Sequence, residues 1–250
     1  MQDAFTDHAW ADPLAACAQF STFAPHQAKG GCALVARKTA LVCLELQHEF
    51  TSEGGKLHAA VKGVMKSTDM LAKVARLQEE VRAAGGTVVH APLTLRRDGS
   101  DNPNRALGIL AGCAKDGLFT AGTWNAALDA ATAPRRGDVL VTGKRGLDAF
   151  ANTDLEAQLV ARGVESLVLC GLLTNGAVES TMRTAYEKGF HVVGVVDGCA
   201  TVSADAQRAA VAGTFGMVAS PMRAHDVGLA LLHDAARLAV SATPRTRAAM

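Results

Sequence analysis

The sequence predicts an α/β protein with a doubly wound, six-stranded, mostly parallel sheet and helices on both faces. Short apolar runs alternate with segments of helical spacing along most of the chain. Each run is apolar throughout, as in strands that are covered on both faces. Hydrophobic residues make up 49% of the 250 residues, which is enough to bury a full core.

The apolar runs predict the strands in order. They are Thr39–Leu46, Thr87–Ala91, Asp138–Thr142, Ser166–Gly171 and His191–Asp197, with Met217–Ala219 as a short sixth strand. Helical spacing predicts the helices Leu57–Ala84, Thr153–Arg162, Asn175–Lys188, Ala204–Ala212 and Ala224–Val240. Thr153 and Glu156 have the spacing of a capping box, and Gly85 follows the first helix as a C-terminal glycine does. The segment 92–137 is turn-rich and mixed.

The chain is divided into an N-terminal extension (1–37), one domain (38–240) and a basic tail (241–250). The 25 Lys and Arg balance the 24 Asp and Glu, so a basic nucleic-acid-binding face is not expected. No apolar run approaches the ~20 residues that span a bilayer. The first cation is Lys29, which argues against a secretory signal and predicts a cytoplasmic protein. The six cysteines lack CxxC or zinc spacing, so reduced, buried thiols are expected.

Ligands of open parallel sheets bind beyond the carboxyl ends of the strands. The residues at those ends are Glu45, His90, Lys144, Asp197 and the turn Leu172–Ala177. Glu45 is a carboxylate in an apolar strand, which is desolvated unless it is paired. It is either part of a structural salt bridge or a general acid/base with a shifted pKa, and the second is our prediction. Lys144 fits a solvated loop or a site equally well.

The turn Gly171–Ala177 connects a buried strand directly to a helix. The first amides of such a helix form an anion site, and an oxyanion from attack on a carbonyl is such an anion. A nucleophile on the first helical turn would lie beside it. An ordinary strand-to-helix turn has the same pattern, so the motif alone is weakly specific.

Three segments together resemble the isochorismatase-like family, the cysteine hydrolases that include nicotinamidases, N-carbamoylsarcosine amidohydrolase and biuret and ureidoacrylate hydrolases. They are ALVCLELQHEF (Ala40–Phe50), GDVLVTGKRGLDAFANTDLEAQL (Gly137–Leu159) and GLLTNGAVESTMRTAYEKGFHVVGVVDGCAT (Gly171–Thr201). Their order and their places at strand ends make the resemblance specific, and it extends over about residues 38–222.

The resemblance implies a catalytic triad of Glu45, Lys144 and position 177, where Glu45 shuttles protons, Lys144 is its electrostatic partner and 177 carries the nucleophile. It also implies a cis peptide between Leu172 and Leu173, and an oxyanion hole from the amides of Leu173 and Ala177. No cofactor and no metal are expected. A homodimer or homotetramer with a small amide or ureide substrate is implied in the same way.

Two residues depart from the family pattern. Glu45 replaces the usual Asp, which keeps the chemistry but moves the carboxylate. Ala177 replaces the cysteine, so no thioester can form there. Cys43 and Cys170 lie within strands, and Cys199 is the least implausible substitute, although a structural role is expected for it.

The expected pocket walls are Phe50, Trp124 and Phe150, which fit a core or a subunit interface as well. The loop Pro92–Thr123 is expected to shape the pocket, with Arg96, Arg97 and Arg105 as candidate carboxylate clamps. His48, Glu49 and His90 match no metal-ligand spacing, so a metal is not expected there.

Three hypotheses remain open on the sequence. The first is a hydrolase of a small amide, carbamoyl or ureide C–N bond, impaired by Ala177 and suited to trapping substrate. The second is a thiol-independent hydrolase of the vinyl-ether type, with Glu45 as the acid. The third is a catalytically silent protein that binds a small molecule. We favour the first.

Overall fold

A six-stranded parallel sheet forms the centre of the protein, seen in a computed structural model that describes residues 34–242. The strands are β1 (Thr39–Leu44), β2 (Thr87–Ala91), β3 (Val139–Leu140), β4 (Ser166–Leu172), β5 (His191–Ala200) and β6 (Ser220–Met222). Their order across the sheet is β3-β2-β1-β4-β5-β6, and all paired strands are parallel. The predicted fold class is confirmed.

The helices connect the strands. They are α1 (His48–Thr51), α2 (His58–Thr68), α3 (Met70–Ala83), α4 (Gly108–Asp116), α5 (Leu155–Ala161), α6 (Glu179–Glu187), α7 (Ala204–Ala210), α8 (Gly216–Val218) and α9 (Ala224–Ala242). The strand order reverses between β1 and β4. With right-handed crossovers, this reversal places the connecting helices on both faces of the sheet.

The predicted helix Leu57–Ala84 is two helices. Asp69 lies between α2 and α3 with φ +52°, in the left-handed region, and its amide donates to the carbonyl of Lys66 at 3.2 Å. Both helices bury one apolar stripe, so the periodicity of the sequence runs through the break and conceals it.

The prediction of a sixth strand at Met217–Ala219 is wrong. Met217 belongs to the short helix α8, and the strand begins three residues later, at Ser220. β6 is a half-buried edge strand with Pro221 at its centre. Proline is tolerated there because an edge strand does not need every amide for pairing.

The strands β1 and β4 are buried along their whole length, which explains their unbroken apolar sequences. Gly171 pairs in register with Leu44 at their carboxyl ends. A Cβ added to Gly171 would lie 2.0 Å from the carbonyl oxygen of Leu44, and its φ of +126° also favours glycine. The two strands therefore approach closely at the point where the strand order reverses.

The predicted N-terminal extension and basic tail lie almost wholly outside the described residues. Within residues 34–242, no helix is long and apolar enough to cross a membrane. The cysteines of the same range are unbridged and buried: Cys43, Cys113, Cys170 and Cys199.

Candidate active site

Glu45 leaves the end of β1 and is buried. Its φ of +54° turns the chain sharply, and its amide donates to the carbonyl of Ala91 at 3.3 Å. The Nζ of Lys144 donates a hydrogen bond to its Oε1. Two segments 99 residues apart in sequence thus meet in one buried ion pair.

Lys144 follows β3 and is 1% exposed. Its Nζ also donates to the carbonyl of Gly146 at 2.7 Å, and its own carbonyl accepts from the amide of Thr94 at 3.3 Å. These contacts hold the ammonium group against Glu45. A solvated loop position is therefore wrong for Lys144.

Burial raises the pKa of the Glu45 carboxyl above its usual range, although the charge and hydrogen bond of Lys144 lower it. Desolvation is the larger effect, because the charged carboxylate loses its hydration. A carboxyl group with a raised pKa is suited to accepting and returning a proton near neutral pH.

The turn after β4 contains a cis peptide bond between Leu172 and Leu173. A wide helical turn, Thr174–Val178, follows and leads into α6. The amides of Gly176 and Val178 both donate to the carbonyl of Leu173, at 3.0 and 3.2 Å. The backbone of this turn is thereby folded around position 177.

The buried side chains of Thr201 and Gln207 anchor the same turn. Thr174 Oγ1 donates to Gln207 Oε1 at 2.6 Å, and Thr201 Oγ1 donates to Asn175 Oδ1 at 2.6 Å. Gln207 in turn donates to the carbonyl of Cys199 at 3.3 Å. The turn is therefore held on the side that faces β5 and α7.

Glu45, Leu173 and Ala177 line one cavity, with about 320 Å³ of free space including its opening to solvent. Ala177 is 1% exposed. The other lining residues are Phe50, Leu57, Leu93, Ile109, Leu110, Cys113, Phe119 and Leu147. The carboxylate, the turn and the position of the expected nucleophile thus share one apolar chamber.

Cys113 is absent from the residues predicted for this site. It lies on α4, inside the segment 92–123 that is expected to shape the pocket, but no sequence pattern marks this residue within the segment. Burial, together with the charges of Glu45 and Glu49, raises the pKa of its thiol to about 11. At neutral pH the thiol is therefore protonated and is a poor nucleophile.

Two of the three predicted pocket walls lie elsewhere. Phe50 lines the cavity, but Trp124 and Phe150 do not. Trp124 is 55% exposed and stacks on His48, with ring centroids 4.6 Å apart. Phe150 is buried against Phe190. An aromatic residue close to a motif in sequence carries no information about the direction of its ring.

The residues near the site that resemble metal ligands have structural partners. Glu49 is buried and accepts from the amides of Lys56 and Phe119 at 2.8 and 3.3 Å. His90 Nε2 lies 3.1 Å from Asp138 Oδ2. Among the described residues, no cluster of three or more His, Cys, Asp or Glu side chains could hold a metal ion.

The three arginines predicted as carboxylate clamps are exposed and do not line the cavity. They are Arg96, Arg97 and Arg105. Cys199 does not line it either, and burial raises the pKa of its thiol strongly. Neither a clamp nor a substitute nucleophile is found at these positions.

Comparison with known proteins shows the family of the chain. The family model for the isochorismatase domain matches residues 39–226. The ureidoacrylate amidohydrolase RutB of Stutzerimonas stutzeri is 34% identical over 199 residues, which cover 72% of this chain and 77% of that protein.

Solved structures agree in fold. An isochorismatase family protein from Burkholderia thailandensis is 31% identical with a TM-score of 0.62, covering 78% of this chain and 96% of that one. A cysteine hydrolase from Pseudomonas syringae pv. phaseolicola 1448A has a TM-score of 0.72 at 24% identity, covering 81% of this chain and 96% of that one. The chain therefore belongs to the isochorismatase family.

Proposed function

We propose that this chain is a hydrolase for a C–N bond of a small amide, carbamoyl or ureide compound. The observation that carries the proposal is the meeting of the buried Glu45–Lys144 pair with Leu173 and Ala177 at one cavity. Attack on a carbonyl is assisted by a carboxylate that transfers the proton and by the first amides of a helix, which stabilise the oxyanion. The 34% identity to a ureidoacrylate amidohydrolase supports the same reaction class.

Ala177 determines how far the reaction proceeds. A thiol at this position would give its proton to Glu45 and attack the substrate carbonyl, forming a C–S bond and an oxyanion beside the amides of Leu173 and 177. The C–N bond would then break as Glu45 returns the proton to the leaving nitrogen. Water would cleave the thioester and release the acid. The methyl group of Ala177 cannot begin this sequence, so the chain is a slow catalyst that retains its substrate.

A second candidate function rests on Glu45 itself. Burial raises the pKa of its carboxyl, and a raised pKa suits a general acid. In this function, Glu45 protonates the substrate and no covalent intermediate forms. Cleavage of a vinyl ether is the reaction of this kind within the family.

The experiment measures ammonia or amine release from a panel of small amides, carbamoyl compounds and ureides. It compares the unaltered chain with Ala177→Cys. We expect release from at least one compound to rise about a hundredfold or more in the variant, because a nucleophile is restored beside Glu45.

The matched control is Val178→Cys, which places a buried thiol on the same turn but outside the cavity lining. This control should stay as slow as the unaltered chain. Equal rates in all three proteins, abolished by Glu45→Gln, would favour the thiol-independent function instead. Silence of every protein across the panel would contradict the hydrolysis of an amide, carbamoyl or ureide C–N bond.

A further inference from the structure

We infer that the substrate of this site is an uncharged amide or ureide whose non-reacting part is apolar, and that carboxylate-bearing substrates are excluded. The inference rests on the proposed function and specifies its substrate class. The walls of the cavity, the charges that face it and the positions of five cations on neighbouring segments support this substrate class.

The walls of the cavity are almost entirely apolar. Apart from Glu45, Cys113 and the turn residues, every lining side chain is aliphatic or aromatic: Phe50, Leu57, Leu93, Ile109, Leu110, Phe119 and Leu147. Binding sites for small molecules usually combine such walls with a few polar groups that orient the ligand. Here those polar groups lie together at the reacting end.

The charge of Glu45 at the chamber is matched by that of Lys144, which leaves no net positive charge there. Glu45 is the one ionisable side chain among the lining residues besides the Cys113 thiol, and it holds Lys144 in its ion pair. Burial, with the charges of Glu45 and Glu49, raises the pKa of the Cys113 thiol, so a negative charge on this wall is disfavoured. A second anion in the chamber would meet the same opposition.

The cations on the neighbouring segments are ion-paired, hydrogen-bonded or exposed to solvent. Arg145 pairs with Asp101 through its Nε, and its Nη1 donates to the carbonyl of Lys144 at 3.0 Å. Lys56 Nζ donates to the carbonyl of Asp116, at the end of α4. None of these side chains, and none of the three exposed loop arginines, lines the cavity.

Within residues 34–242 no lysine or arginine lines the cavity, so a substrate carboxylate would lose its hydration without gaining a cation from this part of the chain. Transfer of an unpaired carboxylate into such surroundings is strongly unfavourable, and sites that select carboxylates normally supply an arginine fork. Ureidoacrylate, the substrate in the name of the 34% identical relative, carries a carboxylate. The two proteins should differ in substrate class for this reason.

The test compares two compounds of nearly equal shape. In 4-methylpentanamide an isopropyl group occupies the place of the carboxylate of succinamate. Both are titrated by NMR into the unaltered chain, which lacks the thiol at 177. We expect 4-methylpentanamide to bind at least about tenfold more tightly than succinamate, because only succinamate must lose the hydration of an ionic group.

Ile109→Arg adds a cation at the cavity, because Ile109 is a lining residue and is 48% exposed. This variant should reduce the preference about tenfold or reverse it. The matched control is Leu107→Arg, since Leu107 is 74% exposed, lies two residues away and does not line the cavity. It should leave the preference unchanged.

Equal or tighter binding of succinamate by the unaltered chain overturns the inference, and so does the absence of binding by 4-methylpentanamide. Binding is measured without turnover, which separates this test from that of the proposed function. A chain that prefers 4-methylpentanamide, yet whose Ala177→Cys variant hydrolyses nothing, would contradict the proposed function alone.

Discussion

Glu45 and Lys144 form a buried ion pair, and buried ion pairs contribute little to the stability of a fold. Taking both charges out of water costs several kcal/mol per ion, and apolar replacements of buried pairs are often neutral or stabilising. Glu45 follows β1 and lines a cavity, and Lys144, which follows β3, is bonded to it. This arrangement favours a catalytic role for the pair. In this role Glu45 transfers the proton, and Lys144 limits the rise of the pKa of Glu45.

Glu45→Gln, made in the Ala177→Cys background, should lower the turnover rate by about a hundredfold or more. Glutamine keeps the shape of the side chain but cannot accept a proton from the thiol. Glu45→Asp should retain the rate within about tenfold, because the shorter carboxylate carries the same proton. The measurement is steady-state release of ammonia or amine, with urea unfolding curves for each variant.

Equal losses in the Gln and Asp variants, with unchanged unfolding curves, would show that the carboxylate does not transfer the proton. A loss that follows the unfolding free energy would instead indicate a structural role for the pair, since Glu45→Gln leaves Lys144 buried without a counter-ion.

The turn after β4 is the element that brings the site together, and much of it follows from the sequence. The segment Gly171–Gly189 predicts a strand that leads into a helix, and the structure has β4, a wide turn and α6 there. What the sequence does not contain is the anchoring from outside the turn. Gln207, on α7, accepts a hydrogen bond from Thr174, which lies 33 residues earlier in the sequence. No local sequence pattern predicts such a contact.

Gly171→Ala should destabilise the protein by about 3 kcal/mol or more. The new methyl group would lie 2.0 Å from the carbonyl oxygen of Leu44, and backbone on both sides resists displacement. Gly189→Ala is the matched control, because Gly189 has φ +81° but no atom within 4 Å of an added Cβ. Its cost should be about 1 kcal/mol, from backbone conformation alone.

Urea unfolding at equilibrium measures both glycine variants. Similar losses in the two would mean that positive φ, and not the close approach of β1 and β4, determines the requirement at Gly171. That result would contradict the packing described for the carboxyl ends of these strands.

The whole molecule was predictable to the extent that periodicity defines it. Alternating apolar and helical segments predict five of the six strands and the doubly wound class, because a parallel sheet needs a crossover helix after each strand. The error at β6 arises where periodicity is weakest, at a half-buried edge. The segment 92–123, expected to shape the pocket, contributes lining residues from α4, but its weak periodicity does not identify Cys113 as one of them.

Acid should weaken the fold through His90. Burial lowers the pKa of His90 below its ordinary 6.5, although Asp138 opposes the shift. A group with a depressed pKa contributes stability that is present above the unfolded pKa and is lost as the pH falls through the folded one. The free energy of unfolding should therefore decline as the pH falls below about 6.5.

His90→Gln should flatten this decline between about pH 7 and pH 5, because glutamine does not titrate. His225→Gln is the control, since His225 is exposed on α9. Urea unfolding at several pH values gives the comparison. A decline of equal slope in the His90 variant and the unaltered chain would place the acid sensitivity in other groups.

The most direct test of the central claim is the mass of the protein during turnover. The Ala177→Cys variant, mixed with the compound that it hydrolyses and quenched in acid, should carry the acyl part of that compound. Fragmentation should locate the adduct at position 177, while the unaltered chain carries none. Turnover by the variant without an adduct, or with the adduct on Cys113, would contradict the assignment of position 177 as the place of the nucleophile.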